Sequence, residues 1–269
     1  MRFSQSYGNS GDQARAVIAG LPTDLAALSL EPDITKLAKE KLVRPDWNAT
    51  PTKGIVTRSV VALAVRKGNP KNIKGWADLV KPGIEVLTPN PFTSGGARWN
   101  VMAAYGAQLE QGRTEAQATD YLQRLFKNVV VQDKSAREAL QNFTAGKGDV
   151  LISYESEAIT AQQKGEEIDY VLPDETILIE NPIAVTTSAD AKAKEFVDYA
   201  TSAPAQKIFA AKGYRSVIDG LVDKARYPAP RTQFDITKFG GWDAVMKKFF
   251  DPQDSVMQRI EKSLGVSTS

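Results

Sequence analysis

A chain of 269 residues, 42% hydrophobic and 25% charged, has the make-up of a folded globular protein with enough length for one or two cores. Its 34 basic and 32 acidic residues are interspersed and leave a formal charge of +2, so it lacks the basic stripe that binding to a nucleic-acid backbone requires. Histidine and cysteine are both absent, which excludes Ser-His-Asp and Cys-His nucleophiles, thiolate chemistry, disulfides and ordinary zinc or iron–sulfur sites.

Short apolar runs alternate with amphipathic stretches, the pattern of an α/β protein. Arg2–Tyr7 reads as a strand and Gly11–Ala19 as a helix, followed by a strand at Asp24–Ser29 and a helix at Asp33–Lys41. Ile55–Arg66 is a long β-rich segment, Trp76–Val80 a short helix and Ile84–Thr88 a strand. A loop rich in Pro and Gly, Pro89–Gly96, leads into a helix over Ala97–Leu109. Helices at Glu115–Phe126 and Ala136–Ala145 flank a strand at Val129–Gln132. Strand Val150–Ser153, helix Glu155–Lys164 and strand Tyr170–Leu172 follow. A β segment at Ile183–Thr187 precedes helices near Lys192–Thr201, Pro204–Lys212, Asp243–Phe250 and Ser255–Leu264. The Pro89/Pro91 loop and Asn181-Pro182 are the candidate crossings between two lobes, because proline and its predecessor favour extended backbone. The longest apolar runs, such as Val60–Val65, fall far short of the roughly 20 residues that span a bilayer.

Three places share one chemical design, in which a strand ends and small polar residues open a helix: Ser10-Gly11, Thr93-Ser94-Gly95-Gly96 and Ser153 before Tyr154. A helix start leaves about four N–H groups unpaired and carries partial positive charge, which suits an anion. Each has a purely structural reading as well. Ser10-Gly-Asp-Gln13 is a capping box, and Ser153 is an N-cap with Glu155 and Glu157 suited to the dipole. If an anion binds at Ser153, those carboxylates must point away or pair with a cation, Arg98 being one candidate. Successive glycines at 95 and 96 weaken a helix unless the backbone is needed there, so that site is the strongest. Trp76, Trp99 and Trp242 read as core. No Ser-x-x-Lys and no phosphate loop occurs, so the expectation is a binding protein, not an enzyme, with no cofactor and no metal.

The runs Thr88-Pro-Asn-Pro91 and Ser94-Gly-Gly-Ala-Arg-Trp-Asn100 closely resemble the periplasmic sulfate/thiosulfate-binding proteins of bacterial ABC importers. Gln5-Ser-x-Gly8-x-Ser-Gly11, Val65-Arg-Lys-Gly-Asn-Pro70, Leu125-Phe-Lys-Asn-Val129, Gly148-Asp-Val-Leu-Ile152 and Phe239-Gly-Gly-Trp242 extend the resemblance in family order over nearly the whole chain. It implies the two-lobed type II periplasmic-binding-protein fold, with residues 1–83 plus 183–269 as one lobe and 84–182 as the other. It also implies sulfate or thiosulfate as ligand, membrane-embedded ABC permease subunits as partners, no nucleic acid, and a periplasmic location. The family's neutral donors fall at Ser10, Ser94, Gly95 and Gly96, its backbone donor at Ser153, and Tyr170 stands where an indole donor is found in relatives. Family chains carry a further strand and helix ahead of the Gln5 motif, so this chain reads as lacking that pair together with any signal segment. The alternatives are the ligand-sensing domain of a transcriptional regulator, or a receptor for another oxyanion such as molybdate or phosphate.

Overall fold

The computed structural model describes residues 3–266. In chain order it contains α1 (Ser10–Ile18), β1 (Leu25–Ala27), α2 (Glu31–Lys39), β2 (Ile55–Arg66), a 3-10 turn at Trp76–Val80, β3 (Val86–Leu87), α3 (Gly95–Glu110), α4 (Glu115–Lys127) and β4 (Val129–Val131). Then come α5 (Ala136–Thr144), β5 (Val150–Tyr154), α6 (Glu155–Gln163), β6 (Ile168–Val171), β7 (Glu175–Val185), α7 (Ala191–Ala200), α8 (Ala203–Ala211), β8 (Thr232–Phe234), a second 3-10 turn at Ile236–Phe239, α9 (Gly241–Phe249) and α10 (Val256–Ser263). The mixed α/β class is as expected.

Two long strands organise the rest. β2 is apolar on both faces, so ten of its residues are buried and only Arg58 and Arg66 reach partway into solvent. That pattern suits a strand covered on both sides. Residues 55–60 pair antiparallel with β7, whereas residues 61–66 pair antiparallel with β5 and β6. β7 behaves alike: residues 175–177 run parallel to β8, 178–182 lie against β2, and 183–185 lie against β1. The strand order is β1-β7-β2-β5-β3-β4, with β6 also on β2 and β8 on β7. Pro182 sits where the β2–β7 register shifts, between Ile55 and Thr57, the kind of position that tolerates a residue without an N–H.

Several expectations shift. Of the strand expected at 2–7, Arg2 lies outside the described residues, and residues 3–7 form no strand. A groove of about 470 Å³ separates them from β1, so they have no ladder to join. The Pro89/Pro91 loop is held by a backbone contact. Asn90 donates its N–H to the Asp133 carbonyl (2.8 Å), tying the loop to the β3–β4 side of the sheet. The segments that run through both halves are β2 and β7, the latter containing Asn181-Pro182. The tail packs on the long helices of the middle of the chain. Trp242, Phe249, Met257 and Ile260 of α9 and α10 share one core with Trp99, Met102 and Tyr105 of α3 and with Tyr121 and Leu122 of α4. Ala14, Val17, Ile34 and Leu37 of α1 and α2 form a separate cluster with Val43 and Ala184. The reason is apolar fit: the Trp99 and Trp242 rings meet edge to face at 4.6 Å, a contact worth about 0.5–1.5 kcal/mol beyond its buried area. All three tryptophans expected in the core are there.

Candidate functional site

The α1 helix starts differently from its apparent capping box. Asn9 is the N-cap, and its side chain accepts the Asp12 N–H at 2.8 Å. Ser10 is therefore the first helical residue. Its hydroxyl donates to the buried Asp33 carboxylate (2.7 Å) and accepts the Ser29 N–H (3.2 Å). The Ser10 proton is thus committed within the protein, and what this helix offers outward is the backbone N–H of Ser10 and Gly11. Neither has an acceptor among the described residues.

At α3 the N-cap is Ser94, whose oxygen accepts the Ala97 N–H at 3.4 Å. The Ser94 N–H is spent on the Asn90 carbonyl (2.9 Å), but the N–H groups of Gly95 and Gly96 meet no acceptor among the described residues. Glycine is required at 95 by the opposite wall. A Cβ there would lie 2.8 Å from Ser29 Cβ and 3.1 Å from Leu30 Cγ. At 96 a Cβ would only graze Ala136, the Ser94 hydroxyl and Tyr154, at 3.4–3.6 Å. Those three neighbours mark the surface that Gly96 faces.

Both helix starts open on one cleft of about 420 Å³, lined by Ser10, Ser29, Ser94, Gly95, Gly96, Ala136 and Tyr154 among others. The third helix that points into it is α5. Ser135 caps it by accepting the Glu138 N–H (3.2 Å), and Glu138 accepts the Lys134 N–H (3.2 Å). The Ala136 and Arg137 N–H groups are left without acceptors among the described residues.

Two of the expected site residues are not brought to the cleft. Ser153 lies inside β5, paired with Ala62 of β2, so its position is one of ladder pairing. In the helix after it, α6, the Ser156 N–H is received by the Ser59 hydroxyl at 3.2 Å, while its N-cap Tyr154 and Glu157 of its first turn line the cleft. Tyr170 lies on β6 opposite Ala64 and packs against the cluster of Ala64, Leu151 and Phe143. The residue next to Ser153 takes the place instead. Tyr154 is buried, its hydroxyl has no partner among the described residues, and burial pushes its phenol pKa up. Residues the sequence reading missed are Asn9, Ser29, Ala136 and Tyr154. The pattern Ser135-x-x-Glu138 was a usable signal for α5. Ser29 had none, since its value comes from contacts. Its carbonyl accepts from Trp99 Nε1 (3.0 Å) and Asn181 Nδ2 (3.3 Å).

The carboxylates resolve differently from each other. Glu155 is fully buried and paired with Arg215, which reaches both its oxygens at 2.7 and 2.9 Å. Burial raises its pKa and the guanidinium opposes this. Arg98 is not its partner; it donates Nε to the Pro91 carbonyl at 2.9 Å. Like Glu138 of α5, Glu157 lines the cleft, so the lining is not made of donors alone. Burial raises its pKa, and the charges of Arg137 and Lys164 work against that. The remaining lining offers unspent N–H groups at three helix starts plus the Ser94 and Tyr154 hydroxyls. These are donors for a small oxyanion. Among the described residues no cluster of three metal-ligating side chains occurs.

Comparison with known proteins shows the family. Residues 1–215 match the family described as bacterial extracellular solute-binding protein. The chain is 45% identical to the sulfate-binding protein of Synechococcus elongatus, over 93% of this chain and 74% of that protein. It is 35% identical to the thiosulfate-binding protein of Escherichia coli, over 93% of this chain and 78% of that protein. Its structure superimposes on the sulfate-binding protein SubI from Mycobacterium tuberculosis with a TM-score of 0.88 and 43% identity, covering 91% of this chain and 88% of SubI.

Proposed function

We propose that this chain, which belongs to the bacterial extracellular solute-binding proteins, is the sulfate receptor of an ABC importer, taking sulfate or thiosulfate in its cleft and delivering it to the membrane-embedded permease subunits. It works in the periplasm as a carrier without catalysis. The observation that carries this reading is the convergence of three helix starts, at Ser10-Gly11, Gly95-Gly96 and Ala136-Arg137, on one cleft with their N–H groups unspent. Its relatives among sulfate- and thiosulfate-binding proteins supply the ligand class.

Sulfate is a full dianion near neutrality and needs donors only. Micromolar affinity corresponds to about −8 kcal/mol, whereas one helix start contributes at most about 2 kcal/mol through its dipole. Aligned hydrogen bonds from Gly95, Gly96, Ala136, Ser94 and Tyr154 must supply the difference. Ser10 serves here through its N–H, and Ser153 and Tyr170 act as structural neighbours of the site. The two lobes meet along β2 and β7, with α1 and α2 on one side of the cleft and α3, α5 and α6 on the other.

Calorimetric titration with sulfate, thiosulfate, phosphate and molybdate tests the reading. Sulfate or thiosulfate is expected to bind at micromolar concentration or below. Phosphate retains a proton that finds donors on three sides, and each mismatched pair costs about 1–3 kcal/mol, so it is expected to bind orders of magnitude more weakly. A chain that prefers phosphate or molybdate to both sulfur oxyanions would overturn the assignment.

A further inference from the structure

Neutral donors and helix starts meet an anion with partial charges only; none brings a full positive charge to it. The cleft contains one group that does. Among the described residues that line it, Arg137 is the sole cation, set on α5 immediately after Ala136. Its guanidinium forms no ion pair within 4 Å among the described residues; instead it lies over the ring of Tyr7, 5.7 Å from the centroid. Tyr7 belongs to the segment ahead of α1, so this contact reaches from one wall of the cleft to the other. Two carboxylates also line it, and their charges oppose an anion: Glu138 accepts the Lys134 N–H at 3.2 Å, and Glu157 has no hydrogen bond or ion pair among the described residues. Arg137 is near enough to act on Glu157 electrostatically.

We propose that Arg137 is the charge-selecting residue of the cleft: held across the opening by Tyr7, it offsets Glu157 and favours a dianion over a monoanion of equal size. This rests on the sulfate reading above. Tyr7 is then a positioning residue, acting through its ring face. Coulomb energy is linear in ligand charge, so one cation stabilises a dianion twice as much as a monoanion in the same seat. The signature is quantitative. Whatever factor Arg137→Ala costs perchlorate, it costs sulfate about the square of that factor, for example about 3-fold against about 10-fold.

The test is titration of the intact chain with sulfate, with perchlorate measured by competition, together with sulfate association rates at rising ionic strength. Arg137→Ala is expected to weaken sulfate in the squared relation and to flatten the salt dependence of association, whereas Arg137→Lys keeps both close to wild type. Tyr7→Ala is expected to lose about two- to five-fold in sulfate affinity, as removal of a cation–π contact implies, and Tyr7→Phe to lose none. Glu157→Gln added to Arg137→Ala is expected to return the sulfate-to-perchlorate ratio toward the original. Equal loss of both anions in Arg137→Ala with an unchanged salt dependence would overturn charge selection and leave a packing role. So would a Tyr7→Phe variant as weak as Tyr7→Ala, for the positioning part. Wild-type chain that fails to bind sulfate at all overturns the receptor reading itself, and this proposal with it, before any variant is compared.

Discussion

The starts of α3 and α6 look alike in sequence and do opposite things. Each follows a strand or loop carrying a serine, and each has small or acidic residues in its first turn. At α3 the fold spends the Ser94 N–H and leaves those of Gly95 and Gly96 open to the cleft. At α6 the Ser59 hydroxyl receives the Ser156 N–H, and Glu155 is sealed under Arg215. The difference teaches that a helix start becomes a site only where the surrounding chain declines to satisfy it. Local composition creates the unpaired groups; tertiary contacts decide whether they remain available.

The largest expected effect is on the sealed end. Arg215→Ala leaves Glu155 buried without its partner, which costs about 3–5 kcal/mol of stability, read by urea unfolding. The sign with pH follows from the direction of the shift. The Glu155 pKa is already raised above its ordinary value, so the folded state holds the proton more tightly than the unfolded one. The variant's deficit is therefore smallest in acid and grows as pH rises. Where it remains folded, its sulfate affinity is expected to match wild type, because neither Arg215 nor Glu155 lines the cleft.

Next is the open end. Ser94→Ala removes both the α3 cap and a hydroxyl donor to the ligand. Calorimetry is expected to show a loss of about 1.5–3 kcal/mol in sulfate binding, with about 1 kcal/mol lost from stability. The matched substitution Ser153→Ala is expected to leave affinity unchanged, and a comparable loss there would erase the contrast between the two helices. A smaller effect of about 1 kcal/mol or slightly more in binding is expected for Tyr154→Phe, against none for Tyr170→Phe.

The smallest effect is in pH. With no histidine, a flat affinity profile between about pH 5 and pH 8 would be the simple expectation. Glu157 changes it. Its carboxyl pKa is raised by burial, and a bound dianion favours the protonated form further. Sulfate affinity is therefore expected to increase modestly as pH falls from neutral, and Glu157→Gln to flatten the profile. A wild-type profile as flat as the variant's would mean that Glu157 does not feel the ligand.

These contrasts also mark what was legible from the residues. The long β2 strand, the core tryptophans and the glycine pair at 95–96 were readable because each depends on local pattern: an apolar run, helical spacing, a costly residue type in a helix. β7 was only half seen. Asn181-Pro182 read as a crossing ahead of a strand at Ile183–Thr187, whereas β7 begins at Glu175 and a register shift lets Pro182 continue it. Ser153 and Tyr170 lie within strands and outside the cleft lining, and nothing local distinguishes a serine within a ladder from a serine that caps a helix. Tyr154 and Ala136 needed the fold. Their value lies in where β5 and α5 end relative to α3, a relation no short stretch of sequence contains.

Ser29 carries a consequence for how the protein comes into being. Its N–H reaches Ser10, 19 residues away, its carbonyl meets Trp99 at a separation of 70, and the same carbonyl meets Asn181 at a separation of 152. Contacts so distant in sequence require closure of long loops before they repay the entropy, so such pairings come late and slowly in folding. The anion seat is therefore assembled only after the chain has emerged to at least Asn181. A fragment ending earlier can form α3 with its two glycines, but it has no finished wall to set opposite them.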